Sequence, residues 1–203
     1  MRMLARALVV ALALGLVGTL PGYAQSPTIG FKLGPSFSKM SFDEEQPGQK
    51  WLTKFAGGGF LSFDMGAFAF QPELTYLTKG SLWEVGAESS EINLEYVEIP
   101  ILFVLSPTRD AGMQTHLYAG PAFAYETGCT QITGGISTDC GDDGRKKIDL
   151  GAMIGAGLSL PAGPGSILLE ARYNFGLRNL SEIGTMRQRT GALLMGYSLD
   201  MSG

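Results

Sequence analysis

Apolar and polar residues take turns along most of this chain. Val97, Ile99, Ile101, Phe103 and Leu105 put a large apolar side chain at every second position, which is the two-residue period of a β-strand. Tyr96 and Glu98 hold the opposite parity. A strand with one apolar face and a carboxylate on the other separates two unlike environments. The pattern predicts lipid on one side and a polar interior on the other.

Seven further runs behave in the same way. Ile29, Phe31, Leu33 and Phe37 share one parity, with Lys32, Ser36 and Ser38 on the other. Phe55, Leu61, Phe63 and Met65 carry the second run; Phe68, Phe70, Leu74 and Tyr76 carry the third, opposite Gln71, Glu73 and Thr75. The run through Glu98 is the fourth. Thr115, Leu117, Ala119, Phe123 and Tyr125 form the fifth, and Ile148 to Leu158 the sixth, with Asp149 and several glycines opposite. Ile167, Leu169, Ala171, Tyr173 and Phe175 face away from Glu170, Arg172 and Asn174, and Leu193 to Met201 closes the series. The breaks alternate in length. Long ones span Lys39 to Lys54, Gly80 to Glu91, Thr127 to Lys146 and Arg178 to Gln188, and short ones lie near Gly66, Pro107 and Pro161. Eight runs of about ten residues suit tilted strands crossing a bilayer. Alternating long and short connections suit an all-β, eight-stranded antiparallel up-and-down transmembrane β-barrel, long loops outward. Pro35, Pro72, Pro100 and Pro121 fall inside these runs and each removes a ladder donor; bulges could absorb them, and the registers around them are left open.

Composition agrees with this reading. Only 17% of the 203 residues are charged and 29 are glycine, a low charge content for a soluble domain. The first 24 residues resemble an export signal: Arg2 and Arg6, an apolar stretch from Ala7 to Leu20, then small residues before Gln25. Cleavage is expected after Ala24, leaving residues 25–203 as one barrel domain. The chain has 15 Lys and Arg against 19 Asp and Glu, a net charge of −4. Leaving out Arg2 and Arg6 keeps 13 basic residues and takes the net charge to −6. No other segment is long and apolar enough for a membrane helix, so any further embedding must be through a barrel. Cys129 and Cys140 flank a Gly/Thr/Ser-rich stretch in an exported chain and are expected to form a disulfide. No metal or cofactor set accompanies them.

Parity assigns Lys32, Glu73, Glu98, Asp149, Glu170 and Arg172 to the inner face. An eight-stranded barrel is just wide enough for its own side chains, and buried charges must be paired. Arg172 and Lys32 are therefore expected to neutralise Glu73, Glu98 and Glu170, plugging the lumen. Most other basic residues fall in the long breaks or beside them. Lys54, Lys79, Arg145, Lys146, Lys147, Arg178, Arg187 and Arg189 are expected to form an outer rim facing lipopolysaccharide phosphates, together with Lys39 and Lys50, whereas Arg109 sits at a short turn. His116, the sole histidine, has no serine beside it in sequence, which argues against catalysis. Asp139, Asp142 and Asp143 miss the spacing of a calcium loop. Gly57-Gly58-Gly59 precedes no helix and suits a close approach of strands. Trp51, Trp83, Tyr76, Tyr125 and Tyr173 lie where an interfacial aromatic belt would.

Tyr96-Val97-Glu98-Ile99-Pro100-Ile101 resembles the Y-L-E-I-P-L signature of the PorT-like, porin-family outer-membrane β-barrel domain. Gln71-Pro72-Glu73-Leu74-Thr75-Tyr76 with Lys79-Gly80 is similar to its third strand, and Tyr118-Ala119-Gly120-Pro121, Asp149-Leu150-Gly151 and Leu169-Glu170-Ala171-Arg172-Tyr173 also match. The resemblance covers residues 28 to 201. It implies an eight-stranded outer-membrane barrel, usually of unassigned biochemical role, and the role expected here is structural or surface-interaction rather than enzymatic. Its expected partners are outer-membrane lipid, lipopolysaccharide, periplasmic chaperones and the barrel-assembly machinery, with no nucleic acid; oligomeric state is left open. The chain departs from the usual aromatic ending, finishing Leu199-Asp200-Met201-Ser202-Gly203. The rival reading is an exported soluble lipocalin-like barrel that binds a hydrophobic ligand, which requires the apolar parity to face inward.

Overall fold

The computed structural model describes residues 27–42, 46–66, 68–86, 88–107, 112–140, 146–181 and 185–201. The export signal, Arg109, Asp142, Asp143 and Arg145 lie outside the described residues. The strands are β1 (Thr28–Phe42), β2 (Gln49–Lys50), β3 (Leu52–Asp64), β4 (Phe68–Val85), β5 (Glu88–Leu105), β6 (Gln114–Thr133), β7 (Ile136–Asp139), β8 (Ile148–Ala162), β9 (Gly165–Gly176) and β10 (Met186–Asp200). The eight long strands are antiparallel to their neighbours in the order β1-β3-β4-β5-β6-β8-β9-β10, and β10 pairs back onto β1 from Thr28↔Asp200 to Phe42↔Met186. The sheet therefore closes on itself as an up-and-down barrel, and no edge is left in its wall.

The two parities face as the periodicity requires. On β5, Glu98 is 1% exposed and Tyr96 fully buried, whereas Phe103 is 53% exposed. Phe31, Phe55, Leu74, Ile154, Leu169 and Leu193 are likewise exposed on the outer wall. Ile99, Ile154 and Leu169 do not meet across a common centre, which is the arrangement the lipocalin-like rival needs.

Three strands outrun the sequence pattern. β4 and β5 hold 18 residues each and β6 holds 20, against roughly 9–11 for a bilayer crossing. The surplus amounts to about 25 Å of strand beyond the membrane. The break expected at Gly80–Glu91 is thus mostly paired strand, closed by a tight turn at Gly86 with φ 64°. Much of Thr127–Lys146 is β6 continuing into the β6–β7 hairpin. Outside the bilayer no apolar face is needed, so periodicity fades while backbone pairing continues. β2 pairs with β4 through Gln49↔Trp83 and Lys50↔Leu82, and the disulfide between Cys129 and Cys140, with Cα atoms 5.5 Å apart, ties the far end of β7 to β6.

The prolines are absorbed without bulges. Pairing lapses beside Pro35, Pro72 and Pro100 but resumes in phase, as from Leu33↔Met195 to Ser36↔Ala192 and from Pro100↔Ala122 to Phe103↔Ala119. The β5–β6 register shifts instead between Glu95 and Tyr96. Each proline forfeits local hydrogen bonding while its neighbours hold the register.

Candidate functional site: the sealed lumen and the outer rim

Inward parity on β1, β4 and β9 brings Lys32, Glu73, Glu170 and Arg172 together. Lys32 Nζ donates to Glu73 Oε1 at 2.6 Å and to Glu170 Oε2 at 2.9 Å, and Arg172 Nη1 donates to Glu73 Oε2 at 2.7 Å. Gln71 Nε2 and the Tyr118 hydroxyl complete this layer by donating to Glu73 and Glu170. The ring of Phe60 lies under the Lys32 ammonium at 4.6 Å, a cation–π contact.

A second layer lies nearer the long-loop end. Lys79 Nζ donates to Glu98 Oε2 at 2.7 Å and to Asp149 Oδ2 at 3.2 Å, while Asn174 Nδ2 donates to Glu98 at 3.0 Å. Here the structure corrects two expectations. Lys79 is 1% exposed inside the barrel, not on the rim. The direct ion-pair partner of Glu98 is Lys79, with Arg172 too far for contact. The reason is parity: Gln71, Glu73, Thr75, Leu77 and Lys79 all face inward on β4, and the strand runs straight through the supposed break at Gly80.

Beyond the charges the lumen holds buried polar side chains such as Ser36, Ser38, Ser81, Gln188 and Thr190 together with an apolar cluster. Met40, Leu77, Leu94, Tyr96, Met186 and Leu194 pack together at the outer side, and Leu180 folds in from the β9–β10 loop. The Leu180 amide donates to the Met186 carbonyl and its carbonyl accepts from the Lys146 amide, which fixes Leu180 in place. Inward glycines on β8 make room for large neighbours. A Cβ on Gly157 would lie 2.7 Å from His116 Nε2 and 2.8 Å from Glu170 Cγ, and one on Gly155 would collide with the Tyr118 ring. Gly58 of the glycine triplet approaches the backbone of β4 in the same way, since a Cβ there would lie 2.7 Å from Thr75 Cα. At the short-turn end a polar recess of about 160 Å³ remains, lined by Asp64, Gln71, His116, Ser159 and Glu170 among others.

The remaining rim residues divide. Lys54 is half-buried in an ion pair with Glu91 at 2.5 Å, and Lys50 pairs with Glu84 on the surface. Lys147, Arg178, Arg187 and Arg189 are exposed at the long-loop end, with Lys146 partly covered beside them. Tyr76 and Tyr125 are exposed near the outer strand ends, whereas Trp83 packs against the apolar lumen cluster. Sequence reasoning put Gln71 and Asn174 on the inner parity without assigning them a partner, and missed Lys79 and Tyr118. Continued parity from Glu73 and Arg172 marks Lys79, Gln71 and Asn174.

With the barrel closed and its charges inside, the comparisons with known proteins are decisive for family. The model of the outer membrane protein beta-barrel domain matches residues 23–182. The chain belongs to that family. The match stops short of β10, the strand that completes the barrel. No curated protein matches the chain in sequence. Among solved structures it is similar to Neisserial surface protein A, with 12% identity over 88% of this chain and 99% of that one, at a TM-score of 0.58. It also matches Ail, the attachment invasion locus protein of Yersinia pestis, with 13% identity over 86% and 99% of the two chains, at a TM-score of 0.48. The outer membrane enzyme PagL matches with 15% identity over 84% and 99%, at 0.43. At such identities the likeness to the Neisserial protein speaks for the fold alone. The family establishes a small outer-membrane β-barrel.

Proposed function

We propose that this outer-membrane barrel is a non-enzymatic structural or surface-interaction protein of PorT-like type, whose lumen is plugged by its own ion pairs. The observation that carries the reading is the two-layer network of Lys32, Glu73, Glu170 and Arg172 below Lys79, Glu98 and Asp149. Each cation is held by two carboxylates or shares one, so an ion entering the lumen must break charge-assisted bonds in a low-dielectric interior. The outer rim, in this reading, contacts lipopolysaccharide phosphates. The strands that rise past the bilayer present the surface on which a partner acts. Export with cleavage after Ala24 and insertion by the barrel-assembly machinery complete the picture; mass spectrometry of the mature N-terminus should find Gln25.

Single-channel recording on the reconstituted full chain tests the plug. Flat current traces are expected from the unaltered protein. Regular openings of the unaltered protein would refute it.

A further inference from the structure

The outer wall carries a group of cations that no described carboxylate neutralises. Lys39 on β1 stands directly opposite Arg189 on β10, and Ser41 opposite Arg187. All three basic side chains occupy outward parity, since Ser38, Met40, Gln188 and Thr190 between them are buried inside. Like charges directly across a strand pair are destabilising. No described carboxylate pairs with any of the three, whereas Lys50 and Lys54 each have one and Lys79 has two. Among the described residues the three cations are therefore left to repel one another, and an anion from outside would balance them.

Below this group, β1 leads down the wall to an apolar groove. Phe31 and Leu33 on β1, Phe55, Gly57 and Gly58 on β3, and Tyr76 on β4 line a hollow of about 290 Å³. The hollow exists because Gly57 faces outward without a side chain: a Cβ there would lie 3.3 Å from the Phe55 ring and 3.5 Å from Leu33 Cβ. Leu33 and Lys39 are six residues apart on one strand, about 20 Å along it. At the usual barrel tilt that is a drop of roughly 15 Å along the membrane normal, the depth of one leaflet's hydrocarbon. Cations stand at headgroup height and the groove at chain depth.

We infer that the β1–β10 seam and the adjoining groove form a single binding site for lipid A, its phosphate held by Lys39, Arg187 and Arg189 and an acyl chain lying in the hollow at Gly57. Arginine and lysine together suit a phosphate, the guanidinium by paired donors and the ammonium as a point charge. This rests on the reading that the long-loop end faces the outer leaflet, where lipid A resides, and it replaces a diffuse rim with one place on the wall.

The test uses the full chain folded in detergent and bisphosphorylated lipid A as the probe, read by native mass spectrometry and by titration. Changing Lys39, Arg187 and Arg189 together to glutamine should weaken binding at least tenfold. The equal-charge control of Lys50→Gln, Lys146→Gln and Lys147→Gln should leave it within twofold. Gly57→Leu, which fills the groove and keeps every charge, should weaken binding severalfold while the heat-modifiable folded form persists on gels. Equal losses in the two triple variants would overturn the localised site. So would undiminished binding of dephosphorylated lipid A, or phosphatidylglycerol binding as tightly. Orientation is read separately by labelling Trp51→Cys on intact cells: a label excluded from the surface condemns the outward-facing reading, whereas a surface label with no dependence on the three cations condemns only the site.

Discussion

Replacing Lys79 with methionine keeps most of the side chain's volume and removes one charge from the middle of the barrel. Two carboxylates then lose their shared cation. The ammonium lies 2.7 Å from Glu98 and 3.2 Å from Asp149, with all three side chains at most 2% exposed. At an effective dielectric constant of about 20, these separations correspond to about 6 and about 5 kcal/mol of attraction. Desolvation of the three groups consumes most of that. What survives when one partner of a buried pair is deleted is typically a loss of about 3–5 kcal/mol, because the orphaned charge remains buried. The folding equilibrium should therefore fall by roughly a hundred- to several-thousand-fold. Urea titration of folding into detergent micelles, scored by the heat-modifiable band, measures it. The companion variant Lys79→Met/Glu98→Gln/Asp149→Asn removes the whole charge set and should recover most of the loss. An unchanged midpoint for Lys79→Met refutes the ion-pair account. A triple variant no better than the single one shows that the side chain acts through packing alone.

Three other outcomes are expected. Leu169→Arg places a cation on the lipid-facing wall and should cost about 2–4 kcal/mol near the bilayer centre, measured by the same titration. Gly155→Val should abolish the folded band or lower its thermal midpoint sharply, because the added side chain meets the Tyr118 ring, and Gly155→Val/Tyr118→Ala should restore it in part. Changing Cys129 and Cys140 to serine should leave the barrel's heat-modifiability intact while exposing β7 to limited proteolysis. The bridge joins residues 11 apart, worth about 3 kcal/mol of local ordering for a loop of that size.

The wall of this barrel is legible in its sequence because lipid and lumen impose opposite chemistry on alternate residues. Val97 and Glu98 declare their sides without help. Lys32, Glu73, Glu170 and Arg172 can be grouped from parity alone, since an eight-stranded lumen leaves charged side chains nowhere else to go. Lys79 shows where this reasoning fails. It lies beside Gly80, where apolar alternation ends, and alternation ends because the strand leaves the membrane rather than because it stops. The extensions of β4, β5 and β6 are hidden for the same reason: water accepts either face. Leu180 is invisible too, because no period reaches a loop residue that packs into the buried cluster. The pairing of Lys39 with Arg189 depends on register between strands nearly the whole chain apart, which only closure of the barrel fixes.

Orientation of the wall is tested most directly by depth-sensitive quenching. Single tryptophans are placed at Ile99, Ile154 and Leu169 after Trp51 and Trp83 are changed to phenylalanine, and the protein is reconstituted in vesicles. Spin-labelled lipid chains should quench all three, and aqueous acrylamide should leave them nearly untouched. Strong quenching by acrylamide with none from the lipid chains would mean that these side chains never meet hydrocarbon, contradicting the arrangement of greasy wall and ionic interior.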